Sequence, residues 1–461
     1  MPGKRKFLPT HIGLLVVTAL LTVSMVRCAT PREQDAFDQF HEIEHASYLH
    51  VGESARSTLP PELNENATLS DYLAYAAINN PGLMAAFNQW KGSLEKISQN
   101  RTLPDPRFTY TYFVKEVETR VGPQRQKFGL VQTFPWLGKL KLRGDAATEA
   151  ANAMQQQYEA AKLNLFFRVK KYYYEYYYLA RAIAITQENV NLVKYLEEVT
   201  LARYRAGVGP YANLIKAQVE LGKLTDRLQS LRDLRDPVAA ELNAVLNRPP
   251  DAPLFWPQSV PEIAFNYSQQ DLIRWLSENN PDLKAMDFEI AKQRVGIDLA
   301  RKNYFPDISI GAEFIDTDEA LNPLTPDSGK DPVMAMLSIN LPIWYGRYQA
   351  AEKEARAQWM AAKKSRINAT NNLIADLKMS FYEFQDAKRK INLYRDTLIP
   401  KGVESLEVTQ KAFESGKVDF VNLIDAQRIL LEFRLSYERS LADYAQCLAK
   451  LEMLVGKELP Q

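Results

Sequence analysis

Two periodicities alternate along this chain, and the alternation happens twice. Over RFTYTYFV (107–114), Phe108, Tyr110 and Tyr112 alternate with Thr109 and Thr111, a two-residue period that predicts a strand. Gly122 and Pro123 predict a turn, and Lys127 to Thr133 the returning strand. The plan recurs over DISIGAEF (307–314), with a long polar loop through Pro323, Pro326 and Gly329 before Val333 to Leu341. Each copy thus predicts one β-hairpin, with strands of about nine to ten residues, the length that crosses a bilayer when tilted.

Elsewhere the period is helical. Ser70 and Asp71, and Ser268 to Asp271 in the second copy, are capping residues ahead of apolar positions at helical spacing. Each short helix ends at Asn-Asn-Pro, because the residue before a proline avoids the helical region. A second helix is expected to run to about Arg101, its counterpart to Lys302. The longest element follows each hairpin. No proline occurs from Lys139 to Gly209, and roughly 68 helical residues would span about 100 Å. Copy two repeats this from Arg347 to Ser415, with Pro400 and Gly402 as interruptions. Each copy then turns at glycine and runs back. The first return carries Leu221, Leu224, Leu228, Leu231 and Leu234, with a kink expected at Pro237. Helices of this length must lie against each other as coiled-coil-like hairpins.

The two copies share landmarks in one order. Asn79-Asn80-Pro81 recurs as Asn279-Asn280-Pro281, Leu103-Pro104-Asp105 as Phe305-Pro306-Asp307, and FPWLGK (134–139) as LPIWYGR (341–347). GVGPYANLIKAQVEL (207–221) recurs as GKVDFVNLIDAQRIL (416–430), at the points where the two helical hairpins reverse. The chain is a tandem duplication. It divides into a signal peptide (1–28), an irregular extended leader (29–66), repeat 1 (67–248), a linker with five prolines (249–266) and repeat 2 (267–461).

Composition adds the compartment. Net charge is +1 over 461 residues, which excludes the basic excess that nucleic-acid binding needs. Lys4, Arg5 and Lys6 precede an apolar run from Ile12 to Val26, too short to span a bilayer and suited to a secretory signal. The two cysteines, Cys28 and Cys447, are not placed to pair. Met-Val-Arg-Cys resembles the box of bacterial lipoproteins, with Arg27 where a small residue is usual, making Cys28 a candidate lipidation site. A membrane insertion must therefore use the strands. Four strands cannot close a barrel and lipid tolerates no open sheet edge, so several protomers must share one.

The double repeat and its ordered motifs resemble the TolC-type outer-membrane efflux protein family, over residues 67 to 456. The resemblance implies a mostly α fold with a membrane β-barrel. It implies a homotrimer in which two β-hairpins per protomer share a twelve-stranded barrel in outer-membrane lipid. A long coiled-coil tunnel then stands in the periplasm. It further implies the exit channel of a tripartite efflux or type I secretion system of a Gram-negative bacterium. A periplasmic adaptor and an inner-membrane transporter are the implied partners, and no cofactor is required. Asp425 matches an acidic position of the family's pore constriction. Asn422 stands where a second acidic residue is frequent, and Lys216, the copy-one counterpart of Asp425, is a candidate partner for it. Adaptor docking would fall on Arg205, Gly207, Val208, Gly209 and Pro210, and on Gly416, Lys417, Val418 and Asp419. The cargo (metal ion, drug or protein) stays open.

Two other readings compete with this one. His41-Glu42-Ile43-Glu44-His45 fits the His-Glu-x-x-His pattern of zinc proteases, with His50 beyond, but it lies in the leader with no core to build a cleft. A lipid-anchored coiled-coil spacer or adhesin needs no alternating aromatic strands. KKYYYEYYYL (170–179) places six tyrosines around Glu175, read either as packing between helices or as a stacking belt.

Overall fold

The computed structural model describes residues 31–54, 63–260, 267–322 and 324–459; the signal peptide with Cys28 lies outside them. The leader departs from expectation. Pro31–Ser54 is a helix, α1, where an irregular extended segment was expected. Its apolar positions explain the difference: Ala36 and Phe40 are buried, and the Phe40 ring packs 5.1 Å from Trp90 and 5.5 Å from Phe87.

Each repeat then builds the same series. Helices α2 (Leu69–Asn79) and α3 (Pro81–Arg101) precede strands β1 (Arg107–Val117) and β2 (Gln124–Phe134). Next come α4 (Lys139–Arg205), α5 (Tyr211–Asp233) and α6 (Arg235–Val245). Repeat 2 supplies α7 (Gln269–Asn279), α8 (Pro281–Lys302), β3 (Ile308–Thr317), β4 (Val333–Ile339), α9 (Tyr345–Leu393), α10 (Ile399–Glu414) and α11 (Phe420–Val455).

Local chemistry sets the ends. The carboxylate of Asp71 accepts from Thr68 N at 2.7 Å, and that of Asp271 from Ser268 N at 3.3 Å, so both short helices open on capping boxes. The Asn-Asn-Pro landmark does two jobs. Asn80 Oδ1 accepts from Leu83 N (3.0 Å) while its Nδ2 donates to Val245 O (2.9 Å). Asn280 repeats this with Leu283 N (3.1 Å) and Leu454 O (2.9 Å). In each copy one asparagine starts a helix and satisfies the carbonyl end of the last one.

The prolines act on the residue four positions back, whose carbonyl a proline ring displaces. Pro237 ends α5 at Asp233. Pro400 produces no break: a five-residue π turn, Tyr394–Leu398, absorbs the clash and joins α9 to α10. Gly402 lets α10 approach α11, since a Cβ there would meet Leu430 Cδ1 at 3.2 Å.

Two parallel sets of apolar side chains form the larger cores. One gathers Trp90, Ile97, Val169, Tyr176 and Leu242 of copy one. The other gathers Leu272, Leu283, Phe384, Leu451 and Val455 of copy two. The strands form one antiparallel sheet in the order β1-β2-β3-β4. The helices running into and out of those strands pack in the matching order, α3 on α4, α4 on α8, α8 on α9. A four-stranded wall therefore continues, element by element, into a four-helix wall. Beyond it, α5 packs on α4, α4 on α11 and α11 on α10 as the two helical hairpins run out to their tips.

Candidate functional site

The sheet has two chemically distinct faces. Register places Tyr110 opposite Phe128, Phe128 opposite Phe314 and Phe314 opposite Val333. The neighbouring rows, Phe108–Leu130–Ala312–Ala335 and Gln132–Ile310–Leu337, continue this largely apolar face, whose polar members are buried Gln132 and, toward the far end, Gln126 donating to Asp316 at 2.8 Å. The alternate residues form the other face: Thr109, Gly129, Glu313 and Met334 in one row, Thr111 and Lys127 in another, Thr133, Ser309 and Ser338 in a third. On it, Lys127 Nζ lies 2.7 Å from Glu313. The apolar face is bare, with Phe108 65%, Tyr112 62% and Leu337 67% exposed. A contiguous bare apolar face backed by a hydrated one is what a barrel wall between lipid and lumen requires. Among the described residues no helix is long and apolar enough to cross a membrane.

The sheet joins the helices through a clasp between the two copies. Lys139 is buried and its Nζ donates to Asp307 Oδ1 (2.7 Å) and Phe305 O (3.0 Å). Trp136 N also donates to Asp307 Oδ1 (2.8 Å), and the Trp136 ring stacks on Phe305 at 5.3 Å.

The opposite ends of the helical hairpins share one backbone solution. Gly207 and Gly416 take φ of +74° and +73°, the left-handed region that ends a helix. Gly207 N donates to Tyr204 O and Val208 N to Arg203 O; Gly416 N donates to Phe413 O and Lys417 N to Ala412 O. Arg205, Gly207, Val208 and Pro210 are exposed on the first tip, with Gly209 half-buried, and Gly416, Lys417 and Asp419 on the second, with Val418 half-buried. One residue not singled out from the sequence ties the tips together. Arg203 Nη1 donates to Phe413 O (2.9 Å), and its guanidinium lies 4.8 Å from the Phe413 ring. A basic residue in the last turn of α4 hinted at capping, but its target on the other hairpin is 210 residues away.

The constriction candidates lie just inside the second tip. Asn422 and Asp425 share the exposed stripe of α11, while Leu423, Ile424 and Gln427 are buried. Asp425 pairs with Arg428 at 3.5 Å. The expected pairing with Lys216 does not form among the described residues; Arg428, the partner of Asp425, donates its Nε to buried Glu220 at 3.0 Å. The Glu220 hydrogen bond raises the Arg428 pKa, with burial opposing it. Higher along the seam of α4 and α11, Gln427 donates to Asn189 (2.6 Å), Arg181 to Glu438 (2.9 Å), Arg439 to Glu175 (2.8 Å) and Lys170 to Glu452 (2.6 Å).

The remaining motifs resolve into packing. Tyr173, Tyr174, Tyr176 and Tyr177 are buried, and Tyr176 stacks on Trp256 of the linker at 4.2 Å. Burial, then the hydrogen bond to Glu438, pushes the Tyr177 phenol upward. His41 Nδ1 stands 3.6 Å from Glu44, whose carboxylate is held by Lys91 at 2.8 Å. The side chains of His45 and His50 lie outside the described residues, and among the described residues no group of three His, Cys, Asp or Glu is arranged to hold a metal.

A two-faced antiparallel sheet that passes into long paired helices defines a class of protein: a secreted duct that crosses an outer membrane by strands and the periplasm by helices. The chain matches the profile of the family described as "Outer membrane efflux protein" over residues 73–248 and 272–457, and it belongs to that family. It is 22% identical over 437 residues to the cobalt-zinc-cadmium resistance protein CzcC of Cupriavidus metallidurans, covering 88% of this chain and 94% of that one. Against the outer membrane protein TolC of Vibrio cholerae it is 21% identical over 420 residues, covering 84% and 90%. The crystal structure of VceC, also from Vibrio cholerae, superposes with a TM-score of 0.72 at 16% identity, covering 84% of this chain and 96% of that one. The protein is thus an outer-membrane efflux channel, a helical tunnel joined to a barrel, with the tunnel in the periplasm. Its family is one of channels rather than enzymes.

Proposed function

We propose that three copies of this chain close into one twelve-stranded barrel and one helical tube, the exit duct of a tripartite pump. The supporting observation is the sheet: four strands with a bare apolar face and two open edges, continued strand by strand into helices. An open edge in lipid leaves a row of backbone groups unsatisfied, and closure over several copies removes it. Known single-chain barrels begin at about eight strands.

A periplasmic adaptor docks on the paired tips, where Val208 and Tyr211 are more than half exposed and Arg203 holds both turns as one surface. An inner-membrane transporter supplies the energy. Asp425 of each copy, on the exposed stripe of α11, narrows the periplasmic entrance and favours cations by its charge. Lipid on Cys28 fits the position of α1, whose Glu33 pairs with Arg101 at the barrel end of α3.

Planar-bilayer conductance with a detergent-corrected oligomer mass tests this, for wild type and Asp425→Ala. Trimers with discrete steps that grow in the variant support the duct and its gate. Trimers whose conductance ignores the variant move the gate elsewhere. Monomers without conductance overturn the reading.

A further inference from the structure

Where the barrel meets the tunnel, a groove of about 420 Å³ lies between α4 and α8. α4 lines it with Gly138, Lys141, Leu142 and Asp145, the stripe of one helix face, and α8 contributes Lys302 and Phe305. β2 ends at Phe134 and β3 begins at Ile308, so Gly138 and Phe305 stand only four and three residues beyond the strands. That is at most about 14 Å of chain, the level of a bilayer's headgroups when the strands cross its core. The carboxylates of the groove are occupied. Asp145 accepts from Arg101 Nη2 at 3.1 Å, and Asp298 lies 3.4 Å from Arg301 Nη1. The lysines are not: Lys141 and Lys302 form no ion pair or hydrogen bond among the described residues. Lys302 Nζ lies 5.5 Å from the centroid of the Phe305 ring and 3.9 Å from where a Cβ on Gly138 would stand.

Handedness decides which side of the wall the groove opens on. Ile315 shares the Glu313 face of β3 and gives its N–H to Pro332 O, just before β4. In an upward strand of L residues, a residue whose side chain faces the viewer points its N–H to the right. Seen from the Glu313 face with the helices below, β4 therefore lies right of β3, and the order β1 to β4 runs left to right. α3, α4 and α8 hang beneath in that order. On α4, Gly144 faces α3, since a Cβ there would strike the Arg101 side chain. α4 descends as a right-handed helix, so each later residue turns about 100° clockwise seen from the barrel. From α3 on the left, that motion goes first to the side away from the viewer. Asp145 falls there, with Lys141 and Gly138 at about 60° and 120° from Gly144. The groove thus opens on the side of Phe128 and Phe314, directly below the bare apolar face of the sheet.

We propose that this groove binds the phosphate of a membrane phospholipid. Lys141 and Lys302 flank the phosphate, while Leu142 and Phe305 receive the glycerol and the first methylenes of a chain that continues onto the apolar face above. Two unpaired ammonium groups at the membrane boundary complement an anionic headgroup, and their stems lie along apolar surface while the charged ends reach the headgroup layer. The carboxylates held by Arg101 and Arg301 do not oppose it. Arg143, about 100° from Gly144 in the other sense, faces the tunnel interior at the same height and takes no part. The inference rests on the assignment of the Phe128 and Phe314 face to lipid, and adds to it one defined lipid site on each chain.

Native mass spectrometry of the purified full-length protein, titrated with phosphatidylglycerol, reads this site. Wild type should retain one lipid per chain after weaker adducts are stripped. Lys141→Gln with Lys302→Gln should bind it about 30-fold more weakly, about fivefold for each lysine. Lys302→Arg keeps the charge and should bind as wild type does, and so should Arg143→Gln. Equal affinity of the double variant and wild type overturns the inference. So does a loss in Arg143→Gln as large as in Lys141→Gln, or displacement of the lipid by an equal concentration of inorganic phosphate. A wild-type chain that fails to enter phosphatidylglycerol vesicles overturns the lipid-facing assignment itself, a separate result.

Discussion

Adjacent residues on β1 should respond oppositely to the same charge. Tyr110 and Thr109 differ by one position, and the register puts them on opposite faces of the sheet. Tyr110 is the fourth of eleven residues of β1, which at about 3.4 Å per residue lies about 10 Å in from the helical end of the strand. An arginine on the lipid face costs about 2–4 kcal/mol at the bilayer midplane and about 0–1 near its surface. At this depth, about 2–3 kcal/mol is appropriate. Tyr110→Arg also removes the ring 5.3 Å from Phe128, worth about 0.5–1.5 kcal/mol. The total is about 2.5–4.5 kcal/mol per chain, or about 60- to 2000-fold in the folding equilibrium. Thr109→Arg projects into the lumen over Gly129, whose place for a Cβ lies 3.8 Å from Thr109 and 3.6 Å from Glu313. Water and that carboxylate receive the charge, for a net of about 0–1 kcal/mol. Urea titration of each variant refolded into lipid vesicles, followed by gel mobility, measures the difference. Equal midpoints for the two variants would refute the assignment of faces, and a larger loss for Thr109→Arg would reverse it.

Two further outcomes follow from the helical part. Asn280→Ala should lower stability by about 2–4 kcal/mol, the sum of a lost helix cap and a buried Leu454 carbonyl left unpaired; Asn280→Asp should recover only the cap share, as thermal unfolding can show. In alkali, burial pushes the Tyr72 phenol up to about 12, so its share of stability is complete below about pH 10. That share is lost as pH rises from there through the folded value; an unfolding curve flat through this range, or a Tyr72→Phe variant with the same alkaline decline, would contradict the assignment.

Much of the architecture was legible because duplication prints it twice. The strand positions rested on Phe108, Tyr110 and Tyr112 alternating with threonines, and the tips on glycines that reappear before Asn-Leu-Ile. What failed or escaped depended on partners distant in sequence. The leader's sequence reads as extended because its apolar residues find their burial only on packing against α3 and α4, around Phe87 and Trp90. Pro400 predicts an interruption by its missing N–H and its ring, whereas the π turn over Tyr394–Leu398 carries the helix past it. Repeat equivalence makes Lys216 a partner for Asp425, whereas among the described residues Asp425 pairs with Arg428 and Arg428 with Glu220. Arg203 carried no signal beyond its charge.

The matched order of strands and helices has a geometric consequence for the bore. Each repeat contributes two staves to the upper cylinder and two to the lower, joined end to end by single short links. The calibre of the membrane segment and that of the tunnel are therefore one variable. Neither can be widened or narrowed by gaining or losing an element unless the other changes with it. Evolution can retune such a pipe through the side chains that line it, whereas a change of gauge demands whole repeats or whole chains.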